Sequence, residues 1–109
     1  MTNDDYQNFV DEFNITRNVY NFNDVLHHGL SLCAESGEIA SKISKLVYRY
    51  SINDYTNTNL FSELGDVLYH LVALINHEGM KLEEIMEANV IKLKDRKERG
   101  VLIGDGDDR

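Results

Sequence analysis

A chain of 109 residues with no proline, 42% hydrophobic and 28% charged residues, is long enough for one packed core and too short for two. Its formal net charge of -8 excludes a protein that grips a nucleic acid polymer through the phosphate backbone, but allows a small phosphate ligand bridged by a divalent cation. The start "MTNDDYQNF" lacks the basic and apolar parts of a signal peptide, and the run "VLYHLVALI" is too short to cross a bilayer, so no membrane and a cytoplasmic location are expected.

Tyr6, Phe9, Val10 and Phe13 recur at spacings of three and four, which predicts a first amphipathic helix from about Asp4 to Phe13. A second starts near Asn23, a favourable capping residue, and runs to about Tyr50 with Val25, Leu32, Ile39, Ile43 and Leu46 as its apolar stripe. Gly29 and Gly37 are where so long a helix could kink. The lone Cys33 cannot form an internal disulfide and reads as a small buried thiol. Ser51 to Asn59, "SINDYTNTN", reads as a surface loop. Thr58 or Asn59 caps a third helix to about His77, striped by Leu60, Leu64, Val67, Leu71 and Leu74. Gly79 ends it, and a fourth helix runs from about Leu82 to Arg99, where Gly100 stops it. Short connections between amphipathic helices predict an all-α, antiparallel four-helix bundle over residues 1–99, followed by a tail, "VLIGDGDDR", with no helical period.

Two acidic pairs lie within these stripes. Glu35 and Glu38 on the second helix, and Glu63 and Asp66 on the third, are each three apart, about 60° in projection, so each pair can converge on one point. Acidic pairs at this spacing are common on solvated faces, and Glu83, Glu84 and Glu87 of the fourth helix avoid its Leu82, Ile85 and Met86 side in that ordinary way. Glu35, however, lies three after Leu32 and four before Ile39, and Glu63 lies three after Leu60 and four before Val67. They are expected to point inward, where unpaired carboxylates cost several kcal/mol. No Lys or Arg stands at the facing stripe positions, so a hard divalent cation, Mg²⁺, is expected to hold the four carboxylates together. Ser36, Gly37 and Gly65 leave room for the helices or a ligand to approach. A di-iron bundle is excluded, because it needs a Glu-x-x-His pair on each of two helices and the chain has none. His27 and His70 lie near enough along their helices to support this site or face a substrate, although a structural role is the commoner one for histidine.

On the fourth helix Asn89 replaces an apolar residue in the stripe, and Lys92 and Arg96 follow it along one edge. From Lys92 to Arg99 five cations oppose two anions in an otherwise acidic chain. Lys94, Lys97 and Arg99 complement the helix dipole or pair at i,i+4, whereas Asn89, Lys92 and Arg96 suit phosphate or base contacts. Tyr48, Tyr50, Tyr55, Tyr69 and His28 are candidates for stacking on a base, with a core role the more frequent one.

Glu35-Ser36-Gly37-Glu38, Glu63-Leu64-Gly65-Asp66 and Asn89-x-x-Lys92-x-x-x-Arg96 together resemble the MazG-like nucleoside triphosphate pyrophosphohydrolases, and the ending "DRKERGVLIGDGDDR" is similar to the tail of a phage-type subgroup. The resemblance implies an all-α fold that assembles as a homodimer or homotetramer, in the host cytoplasm if the chain is phage-encoded. It implies hydrolysis of NTPs or dNTPs to a monophosphate and pyrophosphate. Glu35, Glu38, Glu63 and Asp66 would be Mg²⁺ ligands, with Mn²⁺ as a substitute, and one of them would orient the attacking water. Asn89, Lys92 and Arg96 match nucleotide-binding positions, Lys45 matches a basic residue after the first acidic motif, and residues 100–109 would be a flexible or substrate-closing tail. The chain departs from the pattern at Ser41 and Ser62, where relatives often carry acidic residues, which bears on the number of metals held. A non-catalytic nucleotide sensor or a helical interaction module is the alternative of a different class.

Overall fold

The computed structural model describes residues 1–16, 21–49 and 58–109. Four α-helices follow one another: α1 Asn3–Phe13, α2 Asn21–Arg49, α3 Thr58–His77 and α4 Leu82–Glu98, with no strand among the described residues. The all-α expectation holds, and the helix bounds differ from the expected ones by a residue or two. The predicted loop as far as residue 57, with Tyr50 and Tyr55, lies outside the described residues.

Local chemistry sets the helix ends. Thr2 Oγ1 accepts from the Asp5 N–H at 3.1 Å and the Asp5 carboxylate accepts from the Thr2 N–H at 2.8 Å, a reciprocal cap that satisfies two donors at the start of α1. At the end of α3, Gly79 takes φ +70°; its N–H reaches the Asn76 carbonyl at 3.0 Å and the Met80 N–H reaches Ile75 at 3.1 Å. Gly100, φ +72°, closes α4 the same way, with Val101 N–H on the Arg96 carbonyl at 2.9 Å. Both positions need glycine because the left-handed backbone is strained for any residue with a Cβ. α2 is unbroken at Gly29 and Gly37 and stays one continuous helix of 29 residues. A Cβ added at Gly29, Gly37 or Gly65 would meet nothing within 4 Å, so these glycines face open space and do not bring the helices of this chain together.

α2 packs chiefly on α3, while α1 packs on α3 and on α4. The innermost cluster is Val10, Val72 and Ala73, with Tyr6, Tyr69 and Leu82 against it, and Leu60 and Ile75 are also buried. Gln7 ties three helices at this core: its Nε2 donates to Asn76 Oδ1 at 2.9 Å and to the Met80 carbonyl at 3.1 Å, and its Oε1 accepts from the Leu82 N–H at 2.8 Å. That last bond caps one of the first-turn donors of α4, which has no partner within its own helix.

The expected stripes are only partly covered. Phe9, Phe13, Ile43, Leu64 and Leu71 were expected in the core and are exposed, as is Tyr48; Cys33, expected to be a buried thiol, is exposed too. Phe61, Leu64, Leu68 and Leu71 make a continuous exposed apolar stripe on α3, and Met86, Val90 and Leu93 make one on α4. Accordingly the radius of gyration is 16.9 Å, against about 13 Å for a closed domain of this length. No described helix is long and apolar enough to cross a membrane.

Candidate metal and nucleotide site

Two contacts fix how α2 lies on α3. His28 Nδ1 meets His70 Nδ1 at 2.9 Å, and farther along α2 the Lys42 ammonium meets Glu63 Oε1 at 2.7 Å. As the α2 numbers rise the α3 numbers fall, so the helices run antiparallel. Glu35 and Glu38 lie between His28 and Lys42 on one helix, and Asp66 lies between Glu63 and His70 on the other. The two acidic pairs therefore sit at the same level of one interhelical seam.

Within that seam Glu35 and Glu63 are half-buried, whereas Glu38 and Asp66 are exposed. The inward orientation expected of all four thus describes one carboxylate of each pair. The expectation that no cation faces them is corrected by Lys42, which stands four residues after Glu38 and seven after Glu35 and so shares their face of α2. That spacing was readable in advance; what hid the contact was the stem length that lets a lysine reach across a seam. The Lys42 ammonium hydrogen-bonded to it holds the Glu63 carboxyl below its ordinary range, helped by its own backbone. The other Glu63 oxygen, Oε2, is buried with no hydrogen-bond partner among the described residues. An ionised carboxylate with one oxygen on a cation and the other enclosed and unmatched is what a further cation would complete.

The nucleotide-binding candidates lie apart in character. Lys45 on α2 and Asn89 and Lys92 on α4 are exposed. Arg96 is buried, because the tail folds back over it: Nη2 donates to the Asp107 carbonyl at 2.6 Å and lies 3.4 Å from Asp107 Oδ1, which is also 3.8 Å from Lys92 Nζ. Arg109 holds the turn by donating to the carbonyls of Val101, Leu102 and Gly106, while Arg99 donates to the Arg109 carbonyl. The two cations expected to take phosphate are thus brought together by an acidic residue of the tail.

A buried polar network under the seam had no counterpart in the sequence reading. Asp24 accepts from Asn14 Nδ2 at 3.0 Å and Thr16 Oγ1 at 2.6 Å, and its second oxygen lies 3.0 Å from His77 Nδ1. Burial disfavours its charge, yet those bonds and the nearby His28 ring hold the carboxyl below its ordinary value. His28 is fully buried, and burial pushes its ring toward the neutral form against the pull of Asp24. Burial does the same to His70, opposed by the Glu35 and Asp66 charges, which places both carboxylates within electrostatic reach of that ring. Of the stacking candidates, His28 and Tyr69 pack on the interior and their rings lie 5.9 Å apart.

The family model of the MazG nucleotide pyrophosphohydrolase domain matches residues 25–101. That span contains all four carboxylates, Lys42, Lys45, Asn89, Lys92 and Arg96, and leaves out α1 and the end of the tail. The Gene 37 protein of Mycobacterium phage L5 is 37% identical over an alignment of 82 residues that covers 73% of this chain and 72% of that protein. No solved structure matches the chain.

Proposed function

Because the chain belongs to the MazG nucleotide pyrophosphohydrolase domain family, we propose that it cleaves nucleoside triphosphates, NTP or dNTP, to the monophosphate and pyrophosphate with Mg²⁺, for which Mn²⁺ can substitute. The observation that carries the metal part is the enclosed Oε2 of Glu63, without a hydrogen-bond partner among the described residues, on a carboxylate already bound to Lys42. The donor set is all oxygen, which fits a hard divalent cation such as Mg²⁺ or Mn²⁺ better than zinc or iron, for which imidazole or thiolate ligands are the more usual company. Glu35, Glu38, Glu63 and Asp66 would hold it. When bound, such an ion neutralises phosphate charge and makes a water more acidic.

The chain's own side chains supply the rest. One of the carboxylates accepts a hydrogen bond from the attacking water and takes its proton, which aims the oxygen lone pair at phosphorus. Lys45, Lys92 and Arg96 meet the phosphate oxygens and Asn89 contacts the nucleotide, with the guanidinium giving the directional contact and the ammonium groups point charges. For Arg96 to do so it exchanges the Asp107 carbonyl and carboxylate for phosphate oxygens, so residues 100–109 move when substrate enters, as a substrate-closing tail does. A second copy of the chain, in a homodimer or homotetramer, covers the apolar stripes of α3 and α4, which this chain leaves in water.

Incubating the protein with a panel of NTPs and dNTPs in Mg²⁺ or Mn²⁺ tests the reaction through pyrophosphate release. At least one nucleotide should yield monophosphate, and Glu38→Gln should abolish turnover with helix content unchanged. Nucleotide binding without any product across the panel would favour the sensor reading, and full activity in Glu38→Gln would remove that residue from the site.

A further inference from the structure

His27, His28 and His70 offer three ring nitrogens that all lie within 4.8 Å of one another, the one such convergence of ligand-type side chains among the described residues. The carboxylate site does not use them. The ring centroids are 4.7, 5.8 and 5.2 Å apart for the 27–28, 27–70 and 28–70 pairs, so the three imidazoles share one small volume where α2 crosses α3.

Which nitrogens face inward follows from the surrounding acceptors. His28 Nε2 lies 2.9 Å from Asn14 Oδ1 and 3.3 Å from Asp24 Oδ1. The Asn14 amide is oriented independently, because Oδ1 accepts from the Thr16 N–H at 3.1 Å while Nδ2 donates to Asp24. With two oxygen acceptors before it, Nε2 carries the proton. Nδ1 of His28 therefore presents a lone pair toward His70 Nδ1, 2.9 Å away. In the metal-free chain His70 fills that gap by donating its Nδ1 proton; moving the proton to its own Nε2 leaves a lone pair on each of the two facing nitrogens with both rings neutral.

A carboxylate or amide behind one imidazole nitrogen, fixing its tautomer so that the other is offered outward, is the usual support of a histidine metal ligand. Two nitrogens bound to one ion at about 2.0–2.1 Å stand roughly 2.9–3.4 Å apart for right-angle to tetrahedral arrangements. The His28 to His70 distance already falls at the lower end. His27 is exposed, so its ring is free to swing the third nitrogen, already within 4.8 Å of the other two, toward the same range.

We propose that His27, His28 and His70 form a nitrogen site for a borderline divalent transition ion, Zn²⁺ above all, separate from the oxygen site of the carboxylates. Imidazole suits zinc, cobalt, nickel and copper, and has little attraction for magnesium. Glu35 and Asp66, within electrostatic reach of His70, offset part of the added charge. The site clamps α2 to α3 beside the proposed catalytic seam.

The test uses the untagged full chain, stripped with chelator and titrated with Co²⁺ and then Zn²⁺ in excess Mg²⁺. One Co²⁺ per chain should bind with the visible spectrum of nitrogen ligation, be displaced by Zn²⁺, and be untouched by Mg²⁺. His27→Ala, which alters an exposed side chain, and His70→Ala should each weaken binding by more than the roughly 10–100-fold that loss of a supporting partner costs. Glu38→Gln should leave it unchanged. Absence of Co²⁺ binding, binding that survives His27→Ala, or binding that Glu38→Gln removes would each overturn the proposal. None of these readouts depends on pyrophosphate release.

Discussion

Gln7→Ala probes the joint that sets α4 against α3. The side chain is buried and makes three hydrogen bonds, to Asn76 Oδ1, the Met80 carbonyl and the Leu82 N–H, and Asn76 Nδ2 returns one to the Gln7 carbonyl that the substitution leaves in place. At a net worth of about 0.5–1.5 kcal/mol each, the loss is about 2–4 kcal/mol. The cleft lined by Gln7, Asn8, Asn76 and Met80 admits water to the orphaned groups, which pulls the figure toward the lower end. Urea unfolding followed by far-ultraviolet circular dichroism should show the midpoint fall with little change in slope. Because the same joint fixes where Asn89, Lys92 and Arg96 stand relative to α3, KM should rise in the same variant. A stability loss under about 0.5 kcal/mol, the scatter of ordinary surface changes, would refute the reasoning that this amide holds three helices together.

Chelated protein should lose stability on acidification. His28, depressed from 6.5, and Asp24, depressed from 3.8, both bind protons more readily unfolded than folded, so their contributions are present above those unfolded values and drain away as pH falls through the lower, folded ones. Thermal melts from pH 7 downward should show two stages, the first beginning near 6.5 and the second near 3.8; a flat profile to pH 4 would contradict this. Asp107→Asn removes the exposed charge beside Lys92 and Arg96, and KM should fall about two- to fivefold with kcat unchanged, the effect of one surface ion pair; a raised KM would mean that the tail positions Arg96 for substrate. Leu68→Glu places a charge in the exposed stripe of α3, and light scattering should report a smaller assembly than the parent protein forms, an unchanged mass placing the subunit contact elsewhere.

Whatever depends on neighbours a few residues apart was legible along the chain. Helix positions followed from three- and four-residue periodicity, the stops at Gly79 and Gly100 from the one backbone conformation glycine tolerates best, and the family from acidic and basic spacings carried within single helices. What faces what across helices emerged with the packing. Lys42 reaches Glu63 over 21 residues, His28 meets His70 over 42, and Gln7 bonds Leu82 over 75, and none of these distances leaves a trace in local periodicity. Nor could periodicity tell a stripe buried in the chain from one left open, since Val72 and Leu71 are adjacent and equally apolar, yet the first is fully enclosed and the second is 41% exposed. Hydrophobic pattern records that a face seeks cover, and the crossing of the helices determines whether this chain supplies it.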